Sequence, residues 1–333
     1  MATTFEIVSV HPDVQYAEQA AWAAFELLDR LEQEISRYVE NSDISRINSL
    51  AADQPVLVGL ACLECLEISA RIHAETDGAF DVTAGRLVDF WRDRDSIAQS
   101  SDENRFGVPP LGGFLKSPTK VGTTNHAFHS SLGGTPHHDG SLEEDLRHAR
   151  RQTGMHLIEL DKTSHTVRLR TCGVRIDLGG IGKGYAVDRM ARLLHEWGID
   201  VALIHGGRST ALAFGKPAKQ EGWPVSLIHP DSGETVSRPI NLCDRAISGS
   251  GLQKGLHIVD PRTGRLAVNR RAAWSSAPTA TLADALSTAF MVMTPEEIER
   301  YCANHPDVTA IVALDAGGRE ANEVQIQLYG CDL

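Results

Sequence analysis

The chain is expected to fold as an α+β protein, and three features of the sequence lead to that expectation. Amphipathic helical stretches and short alternating strands are mixed in no regular order. Some strands sit next to a sequence neighbour across a short polar turn, as hairpins do. A repeating strand–helix–strand alternation, which would build a parallel sheet, is missing, and no internal repeat is found. With 333 residues, of which 42% are hydrophobic and 23% charged, the chain has apolar material for one large core or two modest ones.

A first strand begins almost at once in MATTFEIVSV. Residues 14–38 read as an amphipathic helix, with Trp22, Phe25, Leu28, Leu31, Ile35 and Tyr38 recurring every three or four positions. A polar turn, Glu40-Asn41-Ser42-Asp43, follows. The next helix spans 59–75, with Leu63, Leu66, Ala70 and Ala74 aligned, and Gly78 supplies its stop. Residues 96–140 are rich in Ser, Gly, Pro, Thr, Asn and His, and no hydrophobic period runs through them. They are expected to form an inserted, largely disordered loop. Ser141-Leu142-Glu143-Glu144 is a capping box for a helix ending near Gly154. Segments 156–160 and 166–170 alternate as a hairpin would. A strand at 174–178 leads through a glycine loop at 179–184 into a helix over 185–197. Val187, Met190, Leu194 and Trp197 line that helix, and Gly198 closes it. Strands are expected at 201–205, 223–229 and 239–247. A helix over 281–293 and another starting at Pro295-Glu296-Glu297 come next, before strands at 308–314 and 323–329.

The formal net charge is -12, which argues against nonspecific binding to nucleic acid or anionic membrane, because phosphate backbones demand clustered Lys and Arg. An acidic chain that handles an anionic substrate needs local positive charge, from a metal or from N–H groups at helix starts. No apolar stretch is long enough to span a bilayer. The N-terminus carries no secretory signal, so a cytoplasmic setting is expected, or a periplasmic one if a leader preceded it. The six cysteines are scattered and form no disulfide framework; Cys62 and Cys65, inside a helix, read as ordinary helix cysteines. The histidines at 126, 129, 137 and 138 read as part of a solvated loop.

Four segments carry candidate chemistry. In Arg175-Ile176-Asp177-Leu178-Gly179-Gly180-Ile181-Gly182-Lys183-Gly184-Tyr185-Ala186-Val187-Asp188, a strand ends in four glycines over six residues and opens a helix. Such a turn lets backbone approach a ligand and presents unpaired N–H groups to an anion. It is neither a Walker loop nor a GxGxxG fingerprint, and alone it equally describes a tight strand-to-helix connection. In Ala283-Asp284-Ala285-Leu286-Ser287-Thr288-Ala289-Phe290, Asp284 and Thr288 share a helix face. Their oxygens suit a hard cation such as Mg²⁺, although an isolated pair of this kind is more often a capping or back-bonding pair. In Leu256-His257-Ile258-Val259-Asp260-Pro261-Arg262-Thr263-Gly264, His257 precedes a turn and has the chemistry of a general base, while a lone His is more often structural. Thr76-Asp77-Gly78-Ala79-Phe80-Asp81-Val82-Thr83 leaves a helix in a turn with Asp81 available as an acceptor; a cap-to-cap connection reads the same way.

In this order and at these separations, the four segments resemble the FAD:protein FMN transferases, the ApbE-type flavin transferases. Ser36-Arg37-Tyr38, the run Ser42-Asp43-Ile44-Ser45-Arg46-Ile47-Asn48, Gly206-Gly207 and Ser248-Gly249 fit as well. The resemblance covers nearly the whole chain outside 96–140 and implies one domain over 1–333 with an insertion there. It implies a two-lobed α+β fold with mixed or antiparallel sheets, flanking helices and an FAD cleft between the lobes. By similarity, Mg²⁺ would be held by Asp284, Ser287, Thr288 and the backbone carbonyl of Gly182. FAD would meet Met1, Tyr38, Ala79, Phe80, Asp81, Gly179, Tyr185 and Val259, and His257 would act in catalysis. The implied reaction cuts the FAD pyrophosphate, attaches FMN through a phosphoester to a Thr or Ser of an acceptor redox protein, and releases AMP. Two alternatives stay open: an FAD pyrophosphatase with water as acceptor, and a carrier that binds FAD without turnover. The chain departs from the family pattern at Gly182, where many relatives have Ala, at Arg208, where an acid is common, and at Ser250-Gly251, where an aromatic residue usually follows.

Overall fold

A computed structural model of the chain describes residues 3–103, 142–228, 235, 239–252, 258–267, 270–315 and 324–331. In chain order the elements begin with β1 (Phe5–Ser9), α1 (Val14–Ile35), α2 (Asp43–Asn48), β2 (Pro55–Leu57), α3 (Leu60–Glu75), α4 (Gly85–Glu103) and α5 (Leu142–Arg151). They continue with β3 (Ile158–Asp161), β4 (Thr166–Leu169), α6 (Gly182–Glu196), β5 (Ala202–Gly206), β6 (Thr210–Phe214), β7 (Trp223–Val225), β8 (Ile240–Leu242) and β9 (Arg245–Gly251). The last are β10 (Val259–Asp260), β11 (Arg265–Leu266), β12 (Arg270–Ala277), α7 (Ala280–Phe290), α8 (Pro295–Asn304), β13 (Thr309–Asp315) and β14 (Val324–Tyr329). This is an α+β fold, as expected.

Among the described residues, β1-β5-β6-β9-β12-β13-β14 form one sheet in that spatial order, with every neighbouring pair antiparallel. Strand alternation divides its side chains between two cores. Ile204, Leu212, Phe214, Ala246 and Ala273 enter the main core, which α1, α6 and α7 cover. Leu203, Ala211, Ile247, Ala272 and Trp274 point the other way, into a second core closed by the β7–β8 hairpin. A separate sheet, β2-β4-β3, packs with α2 and is tied to the glycine segment by Asn48. The Asn48 amide donates to the Ile176 carbonyl at 2.9 Å and its oxygen accepts from the Ile176 N–H at 2.7 Å. Leu87, Leu146, Ala149 and Val259 form a small third core that joins α4, α5 and the β10–β11 hairpin.

Most elements lie where the sequence places them, and the differences have local causes. The segment 174–178 is extended but is not a ladder strand. Its backbone bonds instead to the loop at 82–85, through Asp177 N–H to the Val82 carbonyl and Gly85 N–H to the Arg175 carbonyl. The expected strand at 239–247 is two strands, β8 and β9, because Asp244 turns the chain at φ 51°. The strand expected over 223–229 ends at Val225. Residues 96–103 extend α4 rather than joining a loop, and the remainder of the 96–140 insertion lies outside the described residues. In α1 the buried stripe is Ala20, Ala24, Leu31 and Ile35, where small side chains let the helix lie against α6. Trp22 is left 71% exposed, and Tyr38, beyond the helix end, 74%. Cys62 and Cys65 are buried thiols, and burial pushes both well above the ordinary thiol range, so neither is a reactive thiolate.

Candidate functional site

The glycine turn and the first turn of α7 meet, and two residues make the meeting possible. A Cβ on Gly184 would run into the Ala280 carbonyl, so the starts of α6 and α7 approach only because that position is bare. Asp188, one turn further along α6, caps α7 from outside. Its carboxylate accepts from the N–H groups of Ala280 and Thr281, each at 2.8 Å, and from the Thr281 hydroxyl. Burial pushes the Asp188 carboxyl upward in spite of these donors.

The junction buries Asp284, whose side chain is 2% exposed. Lys183 Nζ donates to Asp284 Oδ1 at 3.0 Å and Oδ2 at 3.2 Å; Gly184 N–H donates to Oδ2 at 3.1 Å, and Ser248 Oγ to Oδ1 at 3.0 Å. A second layer of hydroxyls surrounds this carboxylate. Thr210 Oγ1 lies 2.8 Å from Ser248 Oγ, since the β6–β9 register pairs the two residues. Ser250 Oγ lies 2.9 Å from Ser287 Oγ and 3.1 Å from Thr288 Oγ1. A Cβ on Gly180 would sit 3.0 Å from Thr288 Oγ1, so the glycine turn passes directly over that hydroxyl.

A cleft of about 370 Å³ opens at the junction. One wall is Gly179, Gly180, Lys183, Asp284 and Thr288; the other includes Tyr38, Ala79, Phe80, Asp81 and Val259. The Phe80 turn is held from behind. His73 Nδ1 lies 3.0 Å from the Phe80 carbonyl and 3.3 Å from Asp81 Oδ2, and Thr83 donates to Asp81 Oδ1 through its N–H at 2.8 Å and its hydroxyl at 2.6 Å. Burial raises the Asp81 carboxyl above the usual carboxylate range, outweighing the Thr83 bonds and the nearby His73. At the rim, the Arg37 guanidinium stands 4.9 Å over the Tyr38 ring and is fixed by Asp89 at 3.1 Å and Asp177 at 3.3 Å. A larger cavity of about 660 Å³ lies on the far side of β9 and shares Ser209, Gly249, Ser250 and Gly251 with the cleft.

Of the residues singled out from sequence, the cleft therefore gathers Tyr38, Ala79, Phe80, Asp81, Gly179, Val259, Asp284 and Thr288. Ser287 stands behind Thr288 and donates to the Asp284 carbonyl at 2.9 Å. Gly182 is buried in the first turn of α6, with its N–H on the Leu178 carbonyl. Tyr185 is directed elsewhere: it is buried, and its hydroxyl donates to Glu64 at 2.6 Å, between α6 and α3. Met1 and His257 lie outside the described residues. The sequence alone assigns no role to Lys183, Asp188, Thr210 or Ser250. The signals were present: Asp188 is one helical turn after Gly184, and Ser248 and Ser250 share a strand face two residues apart. Among the described residues no three His, Cys, Asp or Glu side chains gather as a metal cluster, and no helix is long and apolar enough to cross a membrane.

Comparison with known proteins adds findings of three kinds. The ApbE family profile matches residues 1–312. The FAD:protein FMN transferase of Escherichia coli K12 is 27% identical over 283 residues, covering 81% of this chain and 70% of its own. That of Vibrio cholerae is 27% identical over 335 residues, covering 96% and 87%. In three dimensions, the flavin transferase ApbE from Vibrio cholerae superposes with a TM-score of 0.73 at 24% identity, over 99% of this chain and 94% of that one. The ApbE protein from Thermotoga maritima gives the same TM-score of 0.73 over 98% and 94%. At these identities the two structures establish a shared fold.

Proposed function

The chain belongs to the ApbE family of flavin transferases, and on that premise we propose that it is a magnesium-dependent FAD:protein FMN transferase. It takes FAD as substrate, joins FMN to a Thr or Ser hydroxyl of an acceptor redox protein and releases AMP. One observation carries this reading: Lys183 and Gly184, at the end of the glycine turn, bond directly to Asp284 of α7 on the wall of a cleft.

The donor set suits a hard cation. Asp284, Ser287 and Thr288 offer only oxygen, and the Lys183 ammonium on both Asp284 oxygens marks a place where positive charge is stable. Asp284 and Thr288 would hold Mg²⁺, with Ser287 and the Gly182 carbonyl as further protein ligands, and displaced Lys183 would turn toward the cleft. Mg²⁺ supplies charge neutralisation at the phosphoryl oxygens. The remaining work falls to the chain itself. Lys183 presents a cation to the diphosphate, and Phe80 and Val259 shield the reacting atoms from water. The acceptor oxygen forms a bond to the FMN phosphorus as its proton passes to His257. The bond from that phosphorus to the oxygen bridging it to the AMP phosphate breaks, and the electron pair leaves with AMP.

Intact mass spectrometry of an acceptor protein after incubation with FAD and Mg²⁺ is the decisive measurement. A mass increase of one FMN phosphoester, lost in Asp284→Ala, is expected. Free FMN and AMP formed equally without acceptor would establish a hydrolase instead, and bound FAD that never yields AMP would establish a carrier.

A further inference from the structure

Alternation along β9 sends Ala246, Ser248 and Ser250 toward α7 and Ile247 toward the second core. Ser248 reaches Asp284, while Ser250 reaches the next turn of the helix, at Ser287 and Thr288. Ser250, Ser287 and Thr288 bring one hydroxyl proton each, and counting those protons decides their directions. Ser287 donates to the Asp284 carbonyl at 2.9 Å. In the 2.9 Å contact between Ser250 and Ser287, Ser250 is therefore the donor. Its proton is then in use, so in the 3.1 Å contact with Thr288 it accepts and Thr288 donates. The competing acceptor for Thr288, the Asp284 carbonyl, is farther away at 3.4 Å.

Resting on the reading of Asp284 and Thr288 as cation ligands, we infer that Ser250 is a positioning residue for that centre. It draws the Thr288 proton toward β9 and leaves the Thr288 lone pairs facing the bare glycine turn, where Gly180 makes room for them. A neutral hydroxyl ligates a hard cation only through a lone pair, with its proton held elsewhere, and partners of this kind typically change metal affinity 10–100-fold, as a rough guide. Ser250 also stands on the wall common to the cleft and the larger cavity, so it can be changed without altering any residue of α7.

The test is a titration of the full chain with Mn²⁺ alone, followed through the EPR signal of free Mn²⁺, in wild type, Ser250→Ala, Ser250→Thr and Asp284→Asn. Ser250→Ala is expected to raise the Mn²⁺ dissociation constant about tenfold while the metal-free melting temperature stays put. Ser250→Thr, which restores the hydroxyl, is expected to stay within about twofold of wild type. If Ser250→Ala fails to fold, Ser250→Gly makes the same comparison. An unchanged constant in Ser250→Ala, with binding lost in Asp284→Asn, overturns the role of Ser250 and leaves the transferase reading standing. Weakened binding that Ser250→Thr does not restore assigns the effect to packing and also overturns it. No Mn²⁺ binding by wild type removes the cation centre and this inference together.

Discussion

Asp81 is a buried carboxyl between Thr83 and His73 on the wall of the cleft, with its side chain 2% exposed. Burial holds its folded-state pKa above that of the unfolded chain. The folded protein therefore holds this proton more tightly, so the contribution is full below the unfolded carboxyl value of about 3.9 and is lost as pH rises through the higher folded value. Asp81→Asn, which keeps the acceptor for Thr83 without the charge, is accordingly expected to melt higher relative to wild type at pH 7 than at pH 4. Paired melting curves across that range check it. A difference that grows toward acid would reverse the sign. At Asp284 an ammonium, an amide and a hydroxyl converge on one buried carboxylate.

At the scale of elements, the site is a junction of two helix starts, and its tolerance is set by backbone clearance. Gly184→Ala would force a methyl group against the Ala280 carbonyl, and neither helix can retreat, because Asp188 ties the start of α7 to α6. The expected cost is about 2 kcal/mol, in the range of overpacked interiors. Because the separation also draws the glycine turn away from Asp284 and Thr288, which the proposed centre needs together, FMN transfer should fall further than stability. Urea unfolding and transfer assays on the same preparation measure both, and full activity in a stable Gly184→Ala protein would contradict the close approach. Ser248 and Ser250 depend on a different regularity, the two-residue period of β9, and a one-residue register slip would send both to the wrong core.

Across the whole molecule, the net charge of -12 opposes an anionic ligand, and on the proposed reading the needed positive charge comes from a cation at Asp284 and from Lys183 beside it. A cation at Asp284 and the FAD diphosphate should therefore stabilise each other's binding. Each ligand that binds only the folded chain raises stability, by about 2.7 kcal/mol at a hundred times its dissociation constant. Together, FAD and Mg²⁺ are expected to raise the melting temperature by more than the sum of their separate effects. Thermal melts with each, both and neither measure the coupling, and strict additivity would mean that the two sites are independent.

Local periodicity and turn chemistry made α1, α3, α6, α7, α8, the β3–β4 hairpin and the last two strands legible, because each is decided by residues within one or two turns. The same local grammar misjudged 174–178, whose backbone partners lie near residue 82, and 239–247, where one left-handed Asp244 redirects the strand. Part of the cleft wall was also readable: Asp284 and Thr288 share a helix face at a four-residue spacing, and Gly179 belongs to the glycine turn. What the linear chain could not express is proximity between residues 183 and 284, 188 and 280, or 250 and 288. Those distances are set by sheet order and by helix packing over a common core, so the oxygen cluster and the direction of its protons exist only once the tertiary fold has closed.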